Sequence, residues 1–83
     1  MHPNAYLMNV RNVKCGLRAR SKILEIIEEK PSDAAGVARA STLTYSAVMH
    51  HLRLLKDENI VSKHGRRPYY WSATGLGQKR LQP

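Results

Sequence analysis

The chain has 83 residues, 42% of them hydrophobic, with 14 basic side chains against 6 acidic ones and a net charge of +8. That length holds one domain with a modest core, too small to spare a deep catalytic pocket. The single cysteine, Cys15, excludes an internal disulfide framework and a cysteine-rich zinc site.

In chain order, Met1-His2-Pro3-Asn4 lacks the basic start and apolar stretch of a secretion signal. Residues 1–12 show no clear period and read as an N-terminal arm, either loose or docking on a partner chain through Tyr6, Leu7, Met8 and Val10. The domain proper is expected over residues 13–83. Val13, Leu17, Leu24 and Ile27, widened by Ile23, fall on one face of a helix that starts between Val13 and Leu17 and ends at Lys30-Pro31. Ser32 is the expected N-cap of a second, short helix from Asp33 to about Ala40, built from small residues. A turn at Ser41-Thr42-Leu43 follows, with Leu43 turned inward.

Thr44 caps a third helix, Tyr45 to Glu58, whose buried face is Val48, Leu52 and Leu55, flanked by His51. Ser46, Met49, His50 and Arg53 fall on its outward side, while periodicity leaves Tyr45 open between core and surface. Residues 60–64 read as a strand, Gly65-Arg66-Arg67-Pro68 as a turn, and residues 69–73 as the returning strand, with Tyr69, Trp71 and Ala73 facing inward. Thr74 is expected to cap a last helical turn through Leu81, weakened by Gly75 and Gly77. No apolar run approaches the roughly 20 residues that cross a bilayer, so a soluble, cytoplasmic domain with no membrane partner is expected.

Charge is placed unevenly. Residues 60–83 carry Lys63, Arg66, Arg67, Lys79 and Arg80 with no acid, whereas the middle of the chain is balanced. A polyanion such as nucleic acid fits that asymmetry; a basic surface kept for solubility is the plainer alternative. Two helices joined by a tight turn, the second with a polar outward face, make a helix-turn-helix. The second helix suits the major groove, and the basic hairpin sits where a wing reaches phosphates. The fold class is therefore mainly α with a small β-hairpin, a winged helix-turn-helix.

At these positions the sequence resembles winged helix-turn-helix regulators of the ArsR/MarR type. The resemblance rests on Arg20-Ser21-Lys22-Ile23-Leu24, on Tyr45-Ser46-Ala47-Val48-Met49-His50-His51-Leu52-Arg53-Leu54-Leu55 and on Glu58-Asn59-Ile60-Val61, where such regulators commonly end Gly-Leu-Val. Thr74-Gly75-Leu76-Gly77 is similar to their Thr-x-x-Gly after the wing, so the likeness runs over residues 17–81. It implies that helix 45–58 reads DNA, that the wing at 64–68 touches backbone or minor groove, and that the active unit is a homodimer. Two departures stand out: there is no Cys-x-Cys ligand set, and the long terminal helices used for sensing are short or missing. No metal, cofactor or small-molecule ligand is therefore expected.

The DNA-contact candidates are Thr44, Tyr45, Ser46, Met49, His50, Arg53, Lys63, His64, Arg66 and Arg67. Arginine can donate two hydrogen bonds to guanine, while serine and histidine reach phosphates and methionine packs on a thymine methyl. Each has a plain structural alternative: Arg53 pairing with Asp57 one helical turn on, or Arg66 and Arg67 solvated at the hairpin tip. Adjacent histidines on a helix point about 100° apart, so His50 and His51 cannot readily share one metal ion. Trp71 is expected in the core rather than as a base-stacking platform. No catalytic triad spacing and no glycine-rich phosphate loop is present, so no enzyme is expected. The leading expectation is a sequence-specific, double-stranded-DNA-binding transcriptional regulator, a repressor rather than an activator. A winged-helix RNA-binding or ribosomal protein and a protein-interaction module are the alternatives.

Overall fold

A computed structural model describes residues 2–8 and 14–74. After a short 3-10 helix, Pro3–Ala5, come α1 (Lys14–Glu29), β1 (Ser32–Asp33), α2 (Ala34–Ser41), α3 (Tyr45–Asp57), β2 (Val61–His64) and β3 (Tyr70–Ala73). The strands form one antiparallel sheet in the order β1-β3-β2. Within it Lys63 stands opposite Trp71, His64 opposite Tyr70, and Ser32 opposite Trp71 on the other side.

Apolar periodicity explains the helices. Leu17, Ile23, Leu24 and Ile27 of α1, Val37 of α2, and Val48, Leu52 and Leu55 of α3 are all buried in one core, closed by Ile60, Val61 and Trp71. Each large aliphatic side chain removed from water in this way contributes about 1.5–3 kcal/mol. α3 starts where Thr44 Oγ1 accepts the Ala47 amide at 3.1 Å, and it ends one residue earlier than expected, with Glu58 as its C-cap.

The sheet departs from expectation in three places. Asp33, not Ser32, caps α2: its Oδ1 accepts the Gly36 amide at 2.9 Å. Ser32 instead belongs to β1, a strand of two residues that is too short to announce itself by alternation. Tyr69 lies outside β3 and is 39% exposed, although Trp71 is buried as expected. The hairpin tip carries Tyr69 beyond the reach of the helices that cover Trp71. At the end of β3 the Thr74 hydroxyl donates to the Asn59 carbonyl at 2.6 Å and ties that strand to the end of α3. The expected last turn through Leu81, with Lys79 and Arg80, lies outside the described residues.

Residues 2–8, which the sequence presents as part of an arm, fold back on α1. Ala5 and Leu7 are buried in the core. The His2 amide donates to Ser21 Oγ at 3.1 Å, and both oxygens of Glu58 accept the Met8 amide, at 2.7 and 2.9 Å. Arg20 is the strut of this contact: 3% exposed, it donates from Nε to the Ala5 carbonyl at 2.7 Å. Its guanidinium lies over Gly16, where an added Cβ would come within 2.8 Å of Nη1. Glycine at that position keeps room for the arginine.

Candidate nucleic-acid interface

α3 buries one face and leaves the other to solvent, so its outward residues follow from the same periodicity that builds the core. Tyr45 is 57% exposed, which settles its place on the surface. Ser46, His50 and Arg53 are exposed and Met49 is half-buried against the core. Arg53 and Asp57, one turn apart, form no ion pair, so the guanidinium is open to solvent on the outward face. Thr44 is exposed but spends its hydroxyl as an acceptor in the cap.

Strand pleating divides the wing into two faces. Lys63 and Trp71 share one of them: the Lys63 ammonium stands 4.4 Å from the Tyr69 ring centroid and 6.0 Å from that of Trp71. Ser62, His64, Tyr70 and Ser72 occupy the other. There the His64 Nε2 is 2.8 Å from Ser72 Oγ and 3.0 Å from Ser62 Oγ, and its ring stacks on Tyr70 at 5.1 Å. Arg66 and Arg67 are exposed at the tip, where Gly65 takes a φ of +81° that a side chain would disfavour.

The first face of the wing, the outward face of α3 and the start of α2 enclose an open groove of about 870 Å³. Tyr45, Met49, Arg53, Lys63 and Arg67, five of the ten candidates, line it together. Ser46, His50 and Arg66 are exposed on the elements that flank it, whereas His64 belongs to the opposite side of the hairpin. Lys56 and Tyr69 also line the groove and are not among the candidates. Lys56 is within reach of sequence reasoning, since it stands one turn beyond Arg53 and two beyond Met49. Asp33 is the acid in the lining, and its Oδ1 is engaged by the Gly36 amide.

Behind this face, His51 is held neutral, its pKa lowered to about 4 by burial first, then by the Arg20 and His50 charges. Arg20 can only donate, and its Nη1 lies 3.4 Å from His51 Nδ1, so that nitrogen presents its lone pair. Burial also lowers the Arg20 pKa, against the opposing pull of Glu58. His50 meets His51 edge to face with ring centroids 5.1 Å apart. Among the described residues, no three histidine, cysteine or acidic side chains gather as a metal site. Nor is any described helix long and apolar enough to cross a membrane.

A helix-turn-helix with its second helix exposed beside a basic hairpin defines a winged helix-turn-helix protein. The family of bacterial regulatory proteins known as the arsR family matches residues 18–63, more than half of the chain. The chain belongs to that family of regulatory proteins. Among solved structures, the Zalpha domain of PKZ from Carassius auratus, in complex with Z-DNA, is similar at 26% identity and a TM-score of 0.65, over 69% of this chain and 94% of that one. Lactococcus lactis ZitR in complex with DNA superimposes with a TM-score of 0.70 at 19% identity, over 88% of this chain and 50% of that one. A transcriptional regulator from Thermotoga maritima gives 0.68 at 19% identity, over 76% and 47%. The chain thus spans about half the length of these two regulators. No curated protein matches the sequence at a significant level.

Proposed function

We propose that the protein binds double-stranded DNA in the cytoplasm as a homodimer and represses transcription. α3 lies in the major groove, and the wing, through Lys63, Arg66 and Arg67, holds the backbone or the minor groove. The observation that carries this reading is the shared groove, to which α3 brings Arg53 and Lys56 and the wing brings Lys63 and Arg67. A 13-residue helix is about 20 Å long, and the major groove admits one. Tyr45, Ser46, Met49, His50 and Arg53 then meet bases or backbone, Thr44 sits at the entry of the helix, and His64 reaches phosphate from the outer side of the wing. Transcriptional regulators of similar fold, solved with and without DNA, support the reading.

Titration with duplex DNA, followed by backbone amide NMR shifts, tests the placement. The largest shifts are expected over residues 44–53 and 63–67. Shifts gathered on α1 instead would overturn it.

A second reading comes from the 26% identity to a domain solved with Z-DNA. In it the groove holds the backbone of a left-handed duplex. Circular dichroism of an alternating dC-dG duplex separates the two readings, because only the second inverts the spectrum when protein is added.

A further inference from the structure

We infer that the groove between α3 and the wing is also a binding site for single-stranded DNA, with Tyr69 and Tyr45 as stacking surfaces for unpaired bases. The inference uses the surface proposed for duplex binding but does not depend on that reading.

Three observations lead to it. The groove is cationic: Arg53, Lys56, Lys63 and Arg67 line it. The acid in its lining, Asp33, is occupied as the cap of α2. A strand of phosphates is the ligand whose charge complements that wall. The groove also holds aromatic rings that the core leaves open, Tyr45 at 57% exposure and Tyr69 at 39%. Neither ring is needed to fill the interior, which Trp71 closes. Finally, the volume of about 870 Å³ admits a base together with its sugar and phosphate.

A positive groove that tracks the backbone, combined with open aromatic faces, is how single strands are held without sequence preference. Bases paired inside a duplex keep their faces stacked on one another, so Tyr45 and Tyr69 gain that contact only from unpaired nucleotides. The Lys63 ammonium stands over one face of the Tyr69 ring, 4.4 Å from its centroid, so a base stacks on the other face and its phosphate lies near that charge. Met49 and Arg53 belong to both proposed sites, so duplex and single strand compete for the protein.

Fluorescence anisotropy of the full chain at one ionic strength tests the inference with three probes: a dT homopolymer of about a dozen nucleotides, a base-free deoxyribose-phosphate oligomer of equal charge, and a mixed-sequence duplex. The wild type is expected to prefer the dT homopolymer over the base-free oligomer by about tenfold. Tyr69→Leu is expected to remove most of that preference, with the loss of dT affinity exceeding any change in duplex affinity. Tyr70→Leu, on the opposite face of the wing, keeps the preference. Both tyrosines are exposed, so the two variants keep the core intact.

Equal binding of the dT homopolymer and the base-free oligomer by the wild type would overturn the inference. So would a preference that survives Tyr69→Leu or is lost equally in Tyr70→Leu. Preference for dT without duplex binding supports the single-strand site and removes the duplex reading; duplex binding without that preference does the reverse.

Discussion

His51 shows how much of this domain turns on single side chains. It must stay neutral, because burial strips its solvation and the Arg20 guanidinium points at its Nδ1 from 3.4 Å. With the folded pKa at about 4 and the unfolded value near 6.5, the unfolded chain takes up a proton first as the pH falls. Stability is therefore full above about pH 6.5 and declines as the pH drops toward 4. Between about pH 7 and pH 5, allowing for partial solvent access, the loss is expected to be about 1–2 kcal/mol. Urea midpoints over that range check it: His51→Gln should flatten the slope relative to wild type, and an unchanged slope would contradict the linkage. Arg20 is invisible to sequence reasoning for a physical reason. A charged residue reads as surface, and its burial depends on the Ala5 carbonyl and the space over Gly16, neither of which leaves a pattern in the chain. For Tyr69, alternation predicts the right face of the hairpin but the wrong depth, since it gives a direction and not a distance from the core.

At the scale of elements, the helix-turn-helix turn and the wing carry opposite expectations. Thr42 has a φ of 61°, a left-handed conformation that costs a β-branched residue about 1–2 kcal/mol, offset in part by its hydroxyl donating to the Ser41 carbonyl at 2.6 Å. Thr42→Gly is expected to raise stability by about 0.5–1 kcal/mol, because relief of strain exceeds the added freedom of the unfolded chain. A lower urea midpoint would show that the hydroxyl contact outweighs the strain. In the wing, replacing Arg66 and Arg67 together by alanine should weaken binding to every DNA sequence alike. It should also reduce the slope of log K against log salt by about 0.9 for each phosphate that is no longer neutralised. An unchanged slope would remove the tip from the interface. α3 is readable from Val48, Leu52 and Leu55 because a 13-residue helix repeats its pattern, and the wing from its turn residues. β1 is not, because two residues hold no period, and Asp33 suits the first turn of a helix as well as the cap it forms.

For the whole molecule, the +8 charge and the family point to DNA, and the groove joins the two elements proposed to meet it. The fold class and the flanks of that groove are legible in the sequence. The grouping of Tyr45, Met49, Arg53, Lys56, Lys63, Arg67 and Tyr69 around one space is not, because those residues come from two elements whose angle is set by core packing. The proposed homodimer would leave its mark in the operator, since two copies of α3 reach successive major grooves only about 34–36 Å apart. The central claim, sequence-specific recognition of duplex DNA by α3, is tested most directly by selection from a random duplex library at two salt concentrations, with Arg53→Ala in parallel. We expect the wild type to enrich a palindrome with half-sites about 10 base pairs apart, and Arg53→Ala to lose preference at particular positions within each half-site. Salt-sensitive retention of duplexes with no enriched motif, or the same motif in full strength from Arg53→Ala, would contradict it.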